Sequence, residues 1–358
     1  MYYFNSIGKK VLLGKEIGKG AAAKVFADST NPNIAIKLFH DEILIKEKNL
    51  IHRLQKLFEL TKIVDFTLKI GPHAKSLGSF PGELVFNSSK QLVGYQMELI
   101  QNGINLSEIV EGRNPSTAFQ SIKIKKKDPQ LYNQFIKHFL YDPNSTIYNR
   151  FVLCRNLALA FSKMYPPIAK TGNLIDLKIF NFDIKPQNII VYMVPVAGKF
   201  AIVPYILDLD NVTLKTKTQI LSPVSPQFTP HYKAPGLPTD EYYDYFSVAV
   251  ILYQLIFDTH PFTVRGETRF RDGDTAEYYI NNHCFAWGKN RKFLSDGTKN
   301  DWRHNNFNKV SPEIQNLFIR AFDSQIPNQR PTPLEWFEEL RKFLINNQGK
   351  MHNLFQSA

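Results

Sequence analysis

The sequence predicts an α+β protein with a small β-rich N-terminal lobe and a larger, mainly helical C-terminal lobe. Short segments rich in β-branched and aromatic residues, separated by glycine-containing turns, fill much of the first hundred residues. After Gly103, apolar residues recur mainly at helical spacing, with one strand-rich segment at 188–209. We therefore assign an N-terminal lobe to 1–100, a C-terminal lobe to 101–345 with an insertion at about 111–145, and a tail to 346–358.

The N-terminal lobe is expected to contain five strands and one long helix. The strands are predicted at 11–17, 24–27, 34–39, 83–86 and 92–99. The helix is predicted at 41–60, because its apolar residues return to one face. Those residues are Ile43, Leu50, Ile51, Leu54 and Phe58.

Three helices are predicted with most support in the C-terminal lobe. Apolar residues between Ile147 and Phe161 are spaced by four, three, four and three. Residues 245–257 are apolar almost all round, which is typical of a helix buried at the centre of a lobe. A third helix is predicted at 332–345, where Thr332 and Glu335 form a capping-box pattern with Pro333 between them.

The composition restricts the class of protein and its partners. Of 358 residues, 43% are apolar and 21% are charged, which excludes a disordered or collagen-like chain. Cys154 and Cys284 are far apart, so we expect neither a disulfide framework nor a structural zinc site. This cysteine usage is typical of a reducing compartment, and we expect a cytoplasmic location. No apolar stretch is long enough for a bilayer, and no membrane partner is expected.

Positive charge is the other global feature of the chain. The net charge of +12 favours anionic partners such as a nucleotide or an acidic protein. The basic run at 123–127 has no interleaved aromatic residues, so we interpret it as a solvated insertion and do not expect nucleic-acid binding.

A turn of small residues follows the first predicted strand. Residues 18–25 read GKGAAAKV, and small side chains there allow backbone N–H groups to approach phosphate oxygens closely. Glycine-rich turns most often serve only the turn, so this segment alone is weak evidence for a phosphate site.

A lysine and a glutamate strengthen the case for a phosphate site. Lys37 follows the apolar residues 34–36, where burial is costly without an anionic partner. Glu47 lies four residues after Ile43 and four before Ile51, on what is predicted to be the inner face of the helix. We therefore expect Glu47 to pair with Lys37 and to orient its ammonium group.

The strongest signal lies in and after the loop at 182–188, FDIKPQN. Asp183, Lys185 and Asn188 supply a potential base, a cation and an amide ligand within six residues. Asp208 follows a second apolar strand. Because Asn188 and Asp208 are expected at adjacent strand ends, their side chains suit Mg²⁺ bridging nucleotide phosphates.

Taken in this order, the motifs resemble those of the eukaryotic-like protein kinases, over about residues 10 to 345. Lys185 and the run TPHYKAP at 229–235 are similar to the corresponding residues of serine/threonine kinases. The segment 311–344 is similar to bacterial kinases that are often encoded beside a von Willebrand A protein and a metal-dependent phosphatase.

The resemblance implies a bilobal kinase fold that transfers the γ-phosphoryl group of ATP to Ser or Thr of protein substrates, including the chain itself. It implies ATP with Mg²⁺ or Mn²⁺ as cofactors, and a cognate phosphatase as a partner. Asp183 and Lys185 would be catalytic, and Asn188 and Asp208 would bind the metal. The implied nucleotide contacts are Gly18, Lys19, Gly20, Ala23, Val25, Ala35, Lys37, Glu47, Met97, Glu98 and Ile100.

Several positions depart from the family pattern. Ala23 replaces the third loop glycine, and Asn181 and Phe182 replace the histidine and arginine before the catalytic aspartate. Leu209 and Asp210 replace the phenylalanine and glycine after the metal aspartate, and Asp210 is expected either to bind the metal or to face solvent. The substrate-facing loop admits two alignments, one with Thr229 and one with Ser225.

These residues are also compatible with two other functions. The departures at Asn181 and Asp210 allow a pseudokinase, a nucleotide-binding scaffold without phosphoryl transfer. A small-molecule kinase of the aminoglycoside or choline type shares the spacing from Asp183 to Asn188. It would lack the lysine two residues after the aspartate and the TPHYKAP run.

Overall fold

A computed structural model describes most of the chain. The described residues are 2–110, 146–165, 178–180, 183–196, 199–216, 218–224, 229–236 and 240–354, with the single positions 129, 133 and 139. The predicted insertion at 111–145, including the basic run at 123–127, falls outside them apart from those three positions.

The N-terminal part is an antiparallel sheet with a small accessory hairpin. Its strands are β1 Tyr3–Asn5, β2 Lys10–Val11, β3 Leu13–Lys19, β4 Ala23–Asp28, β5 Ile34–Phe39, β6 Thr67–Ile70, β7 His73–Ser76, β8 Glu83–Asn87 and β9 Leu92–Glu98. Seven of them form one sheet in the order β2-β1-β8-β9-β5-β4-β3, and β6 pairs with β7. The five predicted strands are confirmed, with the first of them divided between β2 and β3.

The predicted helix at 41–60 is wrong in one respect, because it is broken into α1 Asp41–Lys46 and α2 Leu50–Thr61. The break changes the helical phase, so the buried face of α2 carries Leu50, Leu54, Leu57 and Leu60. Ile51, expected to face inward, is exposed. The spacing argument that placed Glu47 on the inner face of one continuous helix therefore fails.

The described C-terminal part contains six strands between and beside helices. These are β10 Ile104–Asn105, β11 Lys178–Phe180, β12 Ile189–Val196, β13 Lys199–Ile206, β14 Thr213–Lys215 and β15 Ile220–Leu221. The strands β10, β12 and β13 form one antiparallel sheet, and β11, β14 and β15 form another. The predicted strand-rich segment at 188–209 is therefore confirmed as β12 and β13.

Helices make up most of the remaining C-terminal part. They are α3 Leu106–Val110, α4 Thr146–Met164, α5 Glu241–Phe257, α6 Ala276–Asn281, α7 Asp296–Lys299, α8 Trp302–Asn305, α9 Pro312–Asp323, α10 Pro333–Asn346 and α11 Met351–Leu354. The three predicted helices correspond to α4, α5 and α10. Fourteen of the 17 residues of α5 are buried, which agrees with its apolar circumference. The α+β class is thus confirmed, with a sheet in the N-terminal part and helices mainly in the C-terminal part.

The capping box of α10 is present. The Thr332 hydroxyl accepts a hydrogen bond from the Glu335 backbone N–H, and the Glu335 carboxylate accepts one from the Thr332 backbone N–H. Thr332→Ala should lower the free energy of unfolding by about 1 kcal/mol, measured by urea denaturation, because it leaves one helix N–H without its partner. Thr332→Ser keeps the hydroxyl and is the control; equal stabilities for the Ala and Ser variants would contradict the cap.

Candidate functional site

One face of the N-terminal sheet collects four of the predicted nucleotide contacts. Residues opposite each other in neighbouring strands share a face. The register pairs Lys37 of β5 with Val25 of β4 on one side and with Tyr95 of β9 on the other. Ala35, two residues before Lys37, pairs with Met97. Val25, Ala35, Lys37 and Met97 are therefore brought together, as the sequence predicted.

The small-residue turn joins β3 to β4 at the edge of this sheet. A Cβ added to Gly18 would come no closer than 3.7 Å to Val25, and one added to Gly20 no closer than 3.8 Å to the Ala23 carbonyl. Neither glycine has the positive φ that would require its flexibility. The turn itself therefore does not require glycine at these two positions, whereas close approach of a ligand to the backbone would. Lys19 is exposed beside them.

The ammonium group of Lys37 lies between two carboxylates. Its Nζ donates to Asp210 Oδ1 at 2.6 Å and to Asp208 Oδ1 at 3.0 Å. Burial alone would lower the pKa of Lys37, but the charges of Asp210 and Asp208 outweigh it and raise the pKa above its usual value. The group is therefore a fixed cation on the sheet face.

Asp210 is buried, which excludes the solvent-facing one of the two alternatives expected for it. Its Oδ1 accepts hydrogen bonds from Lys37 and, at 2.8 Å, from the hydroxyl of Tyr95. Burial would raise the pKa of Asp210, but the charge and hydrogen bond of Lys37 lower it, helped by the Tyr95 hydrogen bond. Asp210 is consequently an ionised partner of Lys37 rather than a solvent-facing group.

The predicted pair of Glu47 with Lys37 is not formed. The Glu47 carboxylate accepts the Val224 backbone N–H, at 2.9 Å to Oε2 and 3.2 Å to Oε1. Its Oε2 also lies 3.6 Å from Nη1 of Arg53, a residue that is 1% exposed on α2. Because α1 ends at Lys46, Glu47 leaves the helix and points to these two groups instead.

A second cluster surrounds Asp183, in the loop that precedes β12. Lys185 Nζ donates to Asp183 Oδ2 at 2.6 Å, and Asn188 Nδ2 donates to the Asp183 carbonyl at 3.0 Å and to Oδ2 at 3.3 Å. The Thr229 hydroxyl lies 3.4 Å from the other oxygen, Oδ1. The structure thus brings together Asp183, Lys185 and Asn188, and it puts Thr229 beside the carboxylate.

The Asp183 cluster and Asp208 are linked through two strand ends. Asn188 directly precedes β12 and Leu207 directly follows β13, and the Leu207 N–H donates to the Asn188 carbonyl at 2.8 Å. Asp183 and Asp208 both have left-handed backbone conformations, with φ of 44° and 57°. Such conformations are uncommon for residues other than glycine and cluster at functional sites.

Asn188 and Asp208 fit the chemistry of a hard metal ion bound together with phosphates. The Asp208 side chain is 58% exposed, and the Asn188 amide nitrogen is used by Asp183, which leaves the amide oxygen for a ligand. Among the residues described, no group of three or more His, Cys, Asp or Glu could hold a metal alone. A metal held by Asn188 and Asp208 would therefore complete its coordination with water or with oxygens of a bound molecule.

The predicted nucleotide contacts Met97, Glu98 and Ile100 lie in the segment that ends β9 and follows it. The Tyr205 hydroxyl donates to the Glu98 carbonyl at 2.9 Å, so one lone pair of that carbonyl is already used. Met97 packs against the buried apolar cluster that contains Tyr95, and Ile100 packs against the cluster that contains Tyr205. The predicted residues thus lie at the junction of the N-terminal sheet with β13.

A cavity of about 520 Å³ lies beside this segment, lined by Asn33, Thr61, Phe66, Phe80, Met97 and Glu98 among others. Its lining includes two predicted residues, Met97 and Glu98, but neither Lys37 nor Asp183. The groups that carry the predicted chemistry lie outside it.

Sequence reasoning missed Tyr95 and Arg53 and left Asp210 undecided. Tyr95 could have been found, because it lies two residues before Met97 on the same strand face. Arg53 shares the helical spacing of Leu50, Leu54 and Leu57, so its inward orientation was also readable once α2 is treated as a separate helix. Asn181, Phe182 and Ser225 lie outside the described residues.

None of the described helices is both long enough and apolar enough to cross a membrane. No protein-family model and no curated protein sequence matches this chain.

Proposed function

We propose that the chain is an ATP-dependent protein kinase with a bilobal kinase fold, which transfers the γ-phosphoryl group to Ser or Thr hydroxyls. The observation that carries this proposal is the hydrogen-bonded set of Asp183, Lys185 and Asn188, joined through Leu207 to Asp208 at two adjacent strand ends. This set would supply a base, a cation and two metal ligands close together, which suits phosphoryl transfer.

Asp183 would orient the acceptor hydroxyl and accept its proton. Its Oδ2 is held by Lys185 and Asn188, and its Oδ1 faces the Thr229 hydroxyl, so the carboxylate has a fixed direction. During transfer, Lys185 would move partly away from Asp183 and neutralise the negative charge of the phosphoryl group. This division of roles relies on positioning and charge, as phosphoryl transfer does in general.

The N-terminal sheet would hold the nucleotide. Lys37 is a cation on the same face as Val25, Ala35 and Met97, and the backbone of Gly18 and Gly20 is open to a ligand. Asn188 and Asp208 would hold Mg²⁺, or Mn²⁺ in its place. Held by these two residues, the ion would supply positive charge that neutralises the phosphates.

The contact between Lys185 and Asp183 favours a protein kinase over a small-molecule kinase, because small-molecule kinases of the types considered lack that lysine. The buried pair of Asp210 with Lys37 is the feature most compatible with a pseudokinase scaffold. The test is transfer of labelled γ-phosphate from Mg-ATP to a panel of proteins, aminoalcohols and aminoglycosides, preceded by a thermal-shift assay with Mg-ATP. We expect Mg-ATP to stabilise the chain in the thermal-shift assay, and we expect label on proteins but not on aminoalcohols or aminoglycosides. Stabilisation of the chain without labelling of any acceptor would support the scaffold.

Asp208→Asn should weaken nucleotide binding in the presence of Mg²⁺ by about tenfold, because an amide oxygen is a poorer ligand for a hard cation than a carboxylate. The measurement is a calorimetric titration with ATP, with and without Mg²⁺. Glu59→Gln, on the exposed side of α2, is the control. An unchanged Mg²⁺ dependence in Asp208→Asn would remove Asp208 from the metal site.

A further inference from the structure

Lys37 has one buried and one exposed partner, and the two are not equivalent. Asp210 Oδ1 is the nearer, at 2.6 Å, and its side chain is 8% exposed; Asp208 Oδ1 is at 3.0 Å and its side chain is 58% exposed. Attraction between charges is stronger where water is excluded. Asp210 therefore holds the ammonium group more firmly, and Asp208 keeps access to solvent and to a ligand.

Asp210 is itself held in place from the sheet. Tyr95 is fully buried, and its hydroxyl donates to the same Oδ1 that accepts from Lys37. Lys37 and Tyr95 are direct neighbours across β5 and β9, so two adjacent strands fix one carboxylate oxygen. The backbone around Asp210 forms a short turn of 3-10 helix at Leu209–Asn211. These contacts give Lys37 a rigid anchor.

Glu47 forms an ion pair with a different cation, Arg53. Arg53 is buried, and its Nε and Nη1 have no hydrogen-bond partner, so the carboxylate of Glu47 at 3.6 Å compensates its charge. Turning Glu47 toward Lys37 would break the ion pair of the buried Arg53 and leave it the weaker attraction of the more distant Asp210, and it would release the Val224 N–H. A buried charge without a partner is strongly disfavoured.

We infer that Asp210 is the positioning residue of Lys37, in the role that the family resemblance assigns to Glu47, and that Glu47 instead holds Arg53 and the backbone of Val224. The inference rests on the proposed function, because Lys37 requires positioning only if it binds the phosphates of a nucleotide.

The pairing is tested by double-mutant cycles read as melting temperatures of the full chain. Asp210→Asn should lower the melting temperature by roughly 6 °C in the wild-type background, and by less than half as much when Lys37 is methionine. Glu47→Gln is the matched control and should have the same effect in both backgrounds. Coupling of Lys37 to Glu47 instead of Asp210 would overturn the inference. If Asp210→Asn does not fold, Tyr95→Phe replaces it, and its effect should likewise shrink in the Lys37→Met background.

The positioning role is tested by ATP affinity, which a purely structural role would not change. Asp210→Asn should weaken ATP binding about tenfold both with and without Mg²⁺, since it acts through Lys37. Asp208→Asn is the contrast, with its larger loss in the presence of Mg²⁺. A loss for Asp210→Asn only with Mg²⁺ would identify Asp210 as a metal ligand and overturn the positioning role.

The outcomes separate this inference from the proposed function. If the cycles couple Lys37 to Asp210 and ATP affinity falls as expected, but the wild type transfers no phosphate, the kinase proposal fails and the positioning of Lys37 by Asp210 stands. If the wild type transfers phosphate but Lys37 couples to Glu47, only the positioning role is refuted.

Discussion

Lys37→Met is expected to reduce phosphoryl transfer from ATP by at least about 10³-fold, because the only part of the side chain that is lost is the cation that would bind the phosphates. The methionine keeps most of the volume of the lysine stem, so the sheet face should remain packed. The measurement is the initial rate of labelled phosphate incorporation at saturating Mg-ATP.

The same variant is also expected to be less stable. Lys37→Met leaves the buried Asp210 carboxylate without its nearest cation, although the Tyr95 hydroxyl still donates to it, and breaking a buried ion pair typically costs about 3–5 kcal/mol. Chemical denaturation would measure the loss. Lys56→Met is the matched control, because Lys56 is a more exposed lysine paired with Glu59 on α2 and such pairs contribute little.

Two results would contradict this account of Lys37. Wild-type rates of transfer in Lys37→Met would remove it from the nucleotide site. Unchanged stability, with transfer lost, would mean that the contact with Asp210 contributes nothing to the fold and would weaken the argument for a rigid anchor.

Asp183→Asn is expected to lower the rate of transfer by about 10²–10⁴-fold, the range of a lost general base, while ATP affinity stays within about threefold of the wild type. Asparagine is the sharper substitution at this position, because it matches the shape of aspartate and tolerates the positive φ of 44°. Alanine would add backbone strain to the loss of the carboxylate.

The control for Asp183→Asn is the neighbouring hydroxyl. Thr229→Ser keeps an oxygen near Asp183 Oδ1 and should retain most of the activity, provided that Asp183 acts directly on the acceptor. A rate for Asp183→Asn within tenfold of the wild type would show that another group accepts the proton, and the role assigned to Asp183 would have to be withdrawn.

Local sequence patterns predicted many of the secondary-structure elements correctly. The strand at Ile34–Phe39 and the capping box at Thr332 follow from short-range rules on propensity and hydrogen bonding, and both are found where they were expected. The adjacency of Asn188 and Asp208 was also predictable, because each lies at the end of an apolar strand and the two strands pair.

Partner choice at the candidate site was not predictable from the same patterns. Whether Lys37 meets Glu47 or Asp210 depends on the break between α1 and α2 and on the buried charge of Arg53, both of which arise from three-dimensional packing. The sequence contains no local feature that ranks two carboxylates as partners of one lysine. The structure brings several of the predicted residues together, whereas the predicted pairing of Glu47 with Lys37 is wrong.

Mass spectrometry can test whether the chain transfers phosphoryl groups to protein hydroxyls with Asp183 as the base. The wild type and Asp183→Asn are incubated side by side with Mg-ATP and with casein as a generic acceptor, and phosphorylated residues are mapped in both proteins. We expect phosphoserine and phosphothreonine in the wild-type reaction and their loss in the variant. Equal phosphorylation in both reactions, or none in a wild type that binds Mg-ATP, would contradict it.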